Sequence, residues 1–360
     1  MDNRLRSLDV FRGLTMLLLI GESTHLYSAF LGPAFQGTVV EFVGRQLEHH
    51  PWHGLRFWDL IQPFFMFIVG VALPFSTANR EAAGQSRRKI AAHVVLRSGL
   101  FLLLGWALYC LEPGRITFRF QNVLAQLSVT YLLAFGLMKR SARTQFLAAF
   151  GLILFSELLY RLFPVAGFNQ PFVPDRNFGA WVDLKLSGEL SAGHWVAWNA
   201  VPTAAHTIWG VLAGQWLRGA RPPGKKAARL ALWGAAGVAA GFALDPVSPV
   251  IKRIATSSFV VAGGGFCLLA LALAYWLVDI RGLRKGTWVF TVVGMNALFI
   301  YLFTESGGTA WFARLVKPFA AGFFSWTGEA GVRLVAGAGV WALLWGMCAW
   351  LYRRKIFLKI

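Results

Sequence analysis

Ten stretches of nearly continuous apolar residues divide the chain, at roughly 8–31, 57–75, 91–111, 122–138, 144–163, 199–217, 227–244, 257–278, 287–303 and 332–352. Each is close to the ~20 residues that a helix needs to cross a bilayer. The pattern predicts an all-α polytopic membrane protein with ten transmembrane helices. Residues 309–326 mix apolar and polar positions and are expected to form a surface or re-entrant segment. The longest connection, 161–198, carries Pro164, Gly167, Pro171 and Pro174, and predicts a folded cap rather than a separate domain. Neither a linker, a low-complexity tract nor a repeat interrupts the series, so residues 1–360 read as a single membrane domain. The charged start, Arg4 to Arg6, leads into the first stretch with no small-residue cleavage site. It does not resemble a cleavable signal.

Charge orients this stack. Lys and Arg number 35 against 16 Asp and Glu. Counting Lys and Arg in alternate connections gives 22 in the set containing both termini and 11 in the other, with Arg97 and Arg333 inside stretches. Glu41, Glu48, Glu112, Asp175, Asp183, Glu189 and Glu329 fall in the poorer set. Cytoplasmic loops are the ones enriched in cations, so both termini are expected in the cytoplasm, most simply of a bacterial inner membrane. The basic excess then faces anionic lipid rather than nucleic acid. With 56% apolar and 14% charged residues, the composition excludes a soluble globular or disordered chain. Cys110, Cys267 and Cys348 lie in apolar runs without CxxC spacing, so neither a disulfide framework nor a metal site is implied.

Ionisable groups at membrane depth are costly and point to cavities or partners. Glu22 lies in the outer half of the first stretch, Asp59 and Gln62 open the second, Glu157 lies in the fifth, His206 in the sixth and Asn296 in the ninth. Their convergence on one depth predicts a polar chamber open to the non-cytoplasmic side. Just before Asp59, the segment Glu48-His49-His50-Pro51-Trp52-His53 holds three of the seven histidines. Three readings stay open there: a metal site, although the spacing matches no standard zinc pattern; a histidine nucleophile or base held by a carboxylate; or an interfacial loop anchored by His and Trp. Other polar groups have structural explanations. Glu157 and Arg161 are an i,i+4 pair in the favourable order, and Asp9 and Arg12 are expected to neutralise one another. Lys252 and Arg253, just before a helix opening at Thr256-Ser257-Ser258, can hold an anion or touch headgroups. His194 is expected to be exposed.

Two blocks carry a resemblance. Arg6-Ser7-Leu8-Asp9-Val10-Phe11-Arg12-Gly13 resembles the opening of the heparan-alpha-glucosaminide N-acetyltransferase family and its bacterial relatives. The second block is similar to that family's HxxWxGxxxxDLxxPxFxFIxG signature, through His49, Trp52, Gly54, Asp59, Leu60, Pro63, Phe65, Phe67, Ile68 and Gly70. Weaker echoes at Ala180–Asp183, Val201–Gly210, Thr256–Phe259 and Gly294–Ala297 spread it along nearly the whole chain. The resemblance implies a membrane enzyme that moves an acetyl group from acetyl-CoA to the amine of an amino sugar or related glycan across the membrane, without a metal. Carried over by motif, His49 is the essential histidine, Asp59 its carboxylate, and Asn296 a family position of unassigned role. Where many members carry Asn in the first span, this chain has Ser23 beside Glu22. Glu22, Ser23, His206 and Asn296 are therefore candidates for acceptor binding, and Lys252 and Arg253 for the coenzyme. Two alternatives stay open: O-acetylation of an envelope polysaccharide, and proton-coupled transport through Glu22 and Asp59. The oligomeric state is open, a homodimer included.

Overall fold

The computed structural model describes residues 5–111, 113–358 and 360. Arg4, Glu112 and Lys359, all counted in the charge bias, lie outside them. Among the described residues the chain is helical without a strand. The helices are α1 (Arg6–Ser23), α2 (Leu26–Ala29), α3 (Val39–Gln46), α4 (Ile61–Ala82), α5 (Arg87–Leu111), α6 (Val123–Leu137), α7 (Ala142–Leu162) and α8 (Phe178–Ser187). They continue as α9 (Ala200–Arg218), α10 (Pro223–Ala243), α11 (Ser257–Tyr275), α12 (Trp288–Met295), α13 (Ala297–Phe303), α14 (Thr309–Phe324) and α15 (Gly328–Arg353). Every apolar stretch falls on helix. Among the described residues, five helical segments are long and apolar enough to cross a membrane, starting at Phe57, Arg87, Ala142, Ser257 and Ala297. This is the pattern of an integral membrane protein.

Three elements differ from the expectation. The first stretch does not run unbroken to Leu31, because α1 ends at Ser23. The Ser23 and Thr24 hydroxyls bond back to the carbonyls of Ile20 and Gly21, offering the backbone an alternative to further helix. His25 then takes a left-handed conformation, φ 58°. The ninth stretch is divided at Asn296 into α12 and α13. Residues 309–326 are chiefly the helix α14, packed on α15, rather than a mixed surface segment. Its exposed side carries Trp311, Leu315, Phe319 and Phe323 four residues apart; Arg314, Lys317 and Pro318 mask that stripe in an average over the window.

The contacts divide the chain into two compact units: Met1–His50, Arg56–Ile61 and Leu277–Ile360 in one, Pro51–Leu55 and Gln62–Trp276 in the other. In the first, α1 lies along α12, and α15 packs on α12, α14 and α2. A Cβ on Gly13 would collide with the backbone of Phe290, and one on Gly294 would crowd Asp9 and Gly13. Small residues thus let α1 and α12 meet backbone to backbone.

The second unit uses the same device. In it α5 packs on α6, α6 and α7 on α9, and α10 on α11. Its core holds Leu73, Tyr131, Ile208, Val211 and Phe259. Cβ atoms on Gly70, Gly210 and Gly214 would collide with the carbonyl oxygens of Thr207, Phe67 and Val71. These three positions interlock α4 with α9. Gly70→Ala should therefore cost about 1–3 kcal/mol through overpacking, read as a lower melting temperature in detergent. Gly99→Ala, which meets nothing within 4 Å, should cost none. The 161–198 connection folds over Tyr160, Phe163, Phe178, Trp181 and Trp198, whose rings pack at 4.9–6.4 Å between centroids, with α8 inside it.

Candidate functional site

The chain leaves α3 at Leu47 and runs without regular structure to a 3₁₀ turn, Phe57–Leu60, at the head of α4. Asp59 caps that turn. One carboxylate oxygen, Oδ2, accepts the backbone N–H of Arg56 at 2.9 Å and of His50 at 3.3 Å. The other, Oδ1, lies 3.2 Å from His49 Nδ1. The Arg56 guanidinium donates to the His49 carbonyl at 3.0 Å, closing the loop on itself. Asp59 is 1% exposed, whereas His49 is 33% exposed. The Trp58 ring lies 6.3 Å from the imidazole, and Tyr27 meets Trp58 edge-on at 5.6 Å. The carboxylate is thus held in place by two main-chain donors at a helix N-terminus. A carboxylate oxygen there accepts the hydrogen bond from Nδ1–H, which leaves the imidazole lone pair on Nε2. The geometry is that of an oriented base or nucleophile.

The other candidates of this unit differ in character. Glu22 is exposed at the end of α1. The Ser23 hydroxyl donates to Ile20 and accepts from Thr309 at 3.3 Å, so it is tied to the start of α14. Asn296 is fully buried at the break between α12 and α13, and neither its Oδ1 nor its Nδ2 has a hydrogen-bond partner. It makes no bond to the His49–Asp59 pair. A buried amide left unsatisfied costs about 1–3 kcal/mol per group, so a polar guest that reached Asn296 would gain its two open bonds.

Of the three neighbouring histidines only His53 falls in the second unit. His53 pairs with Asp245 at 2.8 Å, and Asp245 also accepts the Val250 N–H at 2.8 Å, while Gly54 N–H donates to the Val250 carbonyl. These bonds, the Val250 one foremost, hold the Asp245 carboxyl below its usual range. His206 is fully buried, its Nε2 donating to the Val260 carbonyl at 2.8 Å. Gln62 donates to Gln126. Lys252 and Arg253 each lie 5.2 Å from the Trp195 ring, and Arg253 donates to the Gly193 carbonyl. Glu157 is paired with Arg161 and accepts from Ser248 and Ser257, which bears out its structural role. His194 is not merely exposed: it pairs with Asp175 at 2.7 Å and meets Trp52 edge-on.

Sequence reasoning did not single out Arg56, Trp58, Asp245 or Asp183 for such roles. Only the loop-closing Arg56 had a visible signal, three residues before Asp59. Asp183 is buried on α8, accepting from Gln121 at 2.9 Å and from Ala197 N–H at 3.0 Å. Burial outweighs these bonds and pushes its carboxyl up from 3.8 to about 6. Because the folded state holds this proton more tightly, the contribution is full below pH 3.8 and is lost as pH rises through 6. It amounts to roughly 3 kcal/mol. Asp183→Asn should abolish that step in a melting-temperature profile taken from pH 4 to 7.

No family model matches the sequence. Among curated proteins the chain is similar to the heparan-alpha-glucosaminide N-acetyltransferase of Mus musculus, 31% identical over 138 residues, and of Homo sapiens, 29% over 137. Each match covers 36% of this chain and 18% of the relative, so the likeness spans under a fifth of those proteins. The resemblance drawn from the motif blocks is borne out, over a shorter reach than the scattered echoes suggest.

Proposed function

We propose that the chain is a membrane-embedded acetyltransferase that moves an acetyl group from acetyl-CoA to the amine of an amino sugar or related glycan on the non-cytoplasmic side. The observation that carries the proposal is the hydrogen bond from a partly accessible His49 to a buried Asp59. The names of the similar proteins support the reaction class. The chain acts as one membrane domain of ten spans with cytoplasmic termini, in a bacterial inner membrane.

Acyl transfer from a thioester needs a neutral amine, a stabilised tetrahedral state and exclusion of water. The acceptor nitrogen attacks the thioester carbonyl, forming the C–N bond as the C–S bond breaks. His49 Nε2 takes the proton released by the amine and returns it to the departing thiolate, which leaves as CoA thiol. Asp59 holds the imidazole in its tautomer and stabilises the transient imidazolium, as the third member of such arrangements does. In the covalent variant of the same chemistry, Nε2 itself attacks the thioester and expels CoA thiolate; the amine then takes the acetyl group from the acetyl-imidazole, and its proton goes to the thiolate, which leaves as CoA thiol. Glu22 suits an ammonium sugar, and the Asn296 amide suits the acceptor or the developing oxyanion. Ser23 adds a hydroxyl on the acceptor side, while His206, Lys252 and Arg253 are separate candidates of the second unit, the first for the acceptor and the other two for the phosphates of CoA.

Purified protein in lipid vesicles, given acetyl-CoA and glucosamine, should release free CoA thiol only when the amine is present. Release driven equally by N-acetylglucosamine would move the acceptor atom to oxygen. No release with any acceptor would refute acetyl transfer.

A further inference from the structure

The helix α3 presents an apolar face that its own unit leaves uncovered. Thr38 caps it by accepting the Glu41 N–H, Glu41 accepts the Gly37 N–H at 2.7 Å, and Arg45 pairs with Glu41 at 2.9 Å. These bonds account for the helix ends and polar side. They do not account for the rest. Gly44 is the buried residue of α3, set against Phe30 and Leu31. On the opposite side Val39, Phe42 and Val43 are 77%, 62% and 42% exposed, at the i, i+3, i+4 spacing of one face. Eight-residue helices are marginal in water and depend on covering such a face.

Position identifies the cover. The N–H of Phe57 donates to Gln46 Oε1 at 3.3 Å. Phe57 opens the Phe57–Ala82 segment, one of the five long and apolar enough to cross a membrane. The C-terminal end of α3 is thereby fixed at the level where that segment enters the bilayer. We infer that α3 is an interfacial helix that buries Val39, Phe42 and Val43 in the headgroup–acyl boundary of the surrounding membrane, with Glu41 and Arg45 toward water. This rests on membrane insertion and is independent of the acetyl-transfer chemistry. Its consequence is local. Lipid contact on α3 is transmitted through Gln46 to the turn that carries Asp59, and through Leu47–Glu48 to His49.

Spin labels test this in the full chain, reconstituted in phosphatidylcholine vesicles in a Cys110→Ser background, since Cys267 and Cys348 are buried. Labels on Phe42→Cys and Val43→Cys should collide several-fold more with oxygen than with a water-soluble nickel chelate, and a label on Arg45→Cys the reverse. Val39→Cys repeats the measurement should Phe42→Cys fail to fold. Nickel accessibility at 42 equal to that at 45 would overturn the inference by placing the face in water. So would a label at 42 shielded from both reagents and freed by lipid dilution, because a second copy would then be the cover.

Discussion

His49→Ala should reach the membrane in normal amounts and lose acetyl transfer by about 10²–10⁴-fold, the usual range for removing a positioned base. The fold tolerates the change because Asp59 keeps the Arg56 and Gln46-linked turn through its main-chain donors: Oδ2 still accepts Arg56 and His50 N–H. The loss should fall on turnover rather than on the Michaelis constant, since the imidazole acts on a proton in flight. Wild-type rates in the variant would remove the mechanism. The same pair of proteins separates the two chemical routes. Labelled acetyl trapped on the wild type, and absent from the variant, marks the covalent one.

Asp59→Asn should be nearly as damaging, for a different reason. Its remaining carbonyl oxygen can still accept the Arg56 and His50 amides, so the turn survives. Its new NH₂ group must then face His49 Nδ1, where the carboxylate oxygen stood at 3.2 Å. An amide donor there draws the lone pair to Nδ1 and leaves the proton on Nε2, the nitrogen that has to be basic. The equivalent exchange in a serine-protease triad costs about 10⁴ in turnover, and a fall of about 10³ or more is expected here. Asp59→Glu, which keeps the charge, should recover part of the rate. Equal activity in Asp59→Asn would show that the carboxylate is only a cap.

The long helices were legible because their apolar runs approach bilayer length, and five of the described segments are long and apolar enough to cross a membrane. Their interruptions were not. The break at His25 goes with two hydroxyls folding back on the chain, and the break at Asn296 coincides with a buried amide whose polar atoms have no partner. Neither leaves a hydropathy signal. α14 was hidden differently, its every-fourth apolar stripe diluted by Arg314, Lys317 and Pro318. At the site, the density of histidines before Asp59 drew attention to the loop, and the motif resemblance selected His49 from its neighbours. The partners Asp245 for His53 and Asp175 for His194 lie 192 and 19 residues away. Such pairs follow from how the chain turns in space, which spacing along it does not encode.

The glycine contacts that lock α4 against α9 bear on how the second unit can move. Main-chain carbonyls meeting at Gly70, Gly210 and Gly214 leave no slack for α4 to slide like a piston along α9. The two helices therefore travel as one rigid pair, and any flexing inside the second unit falls on helices that meet through side chains instead.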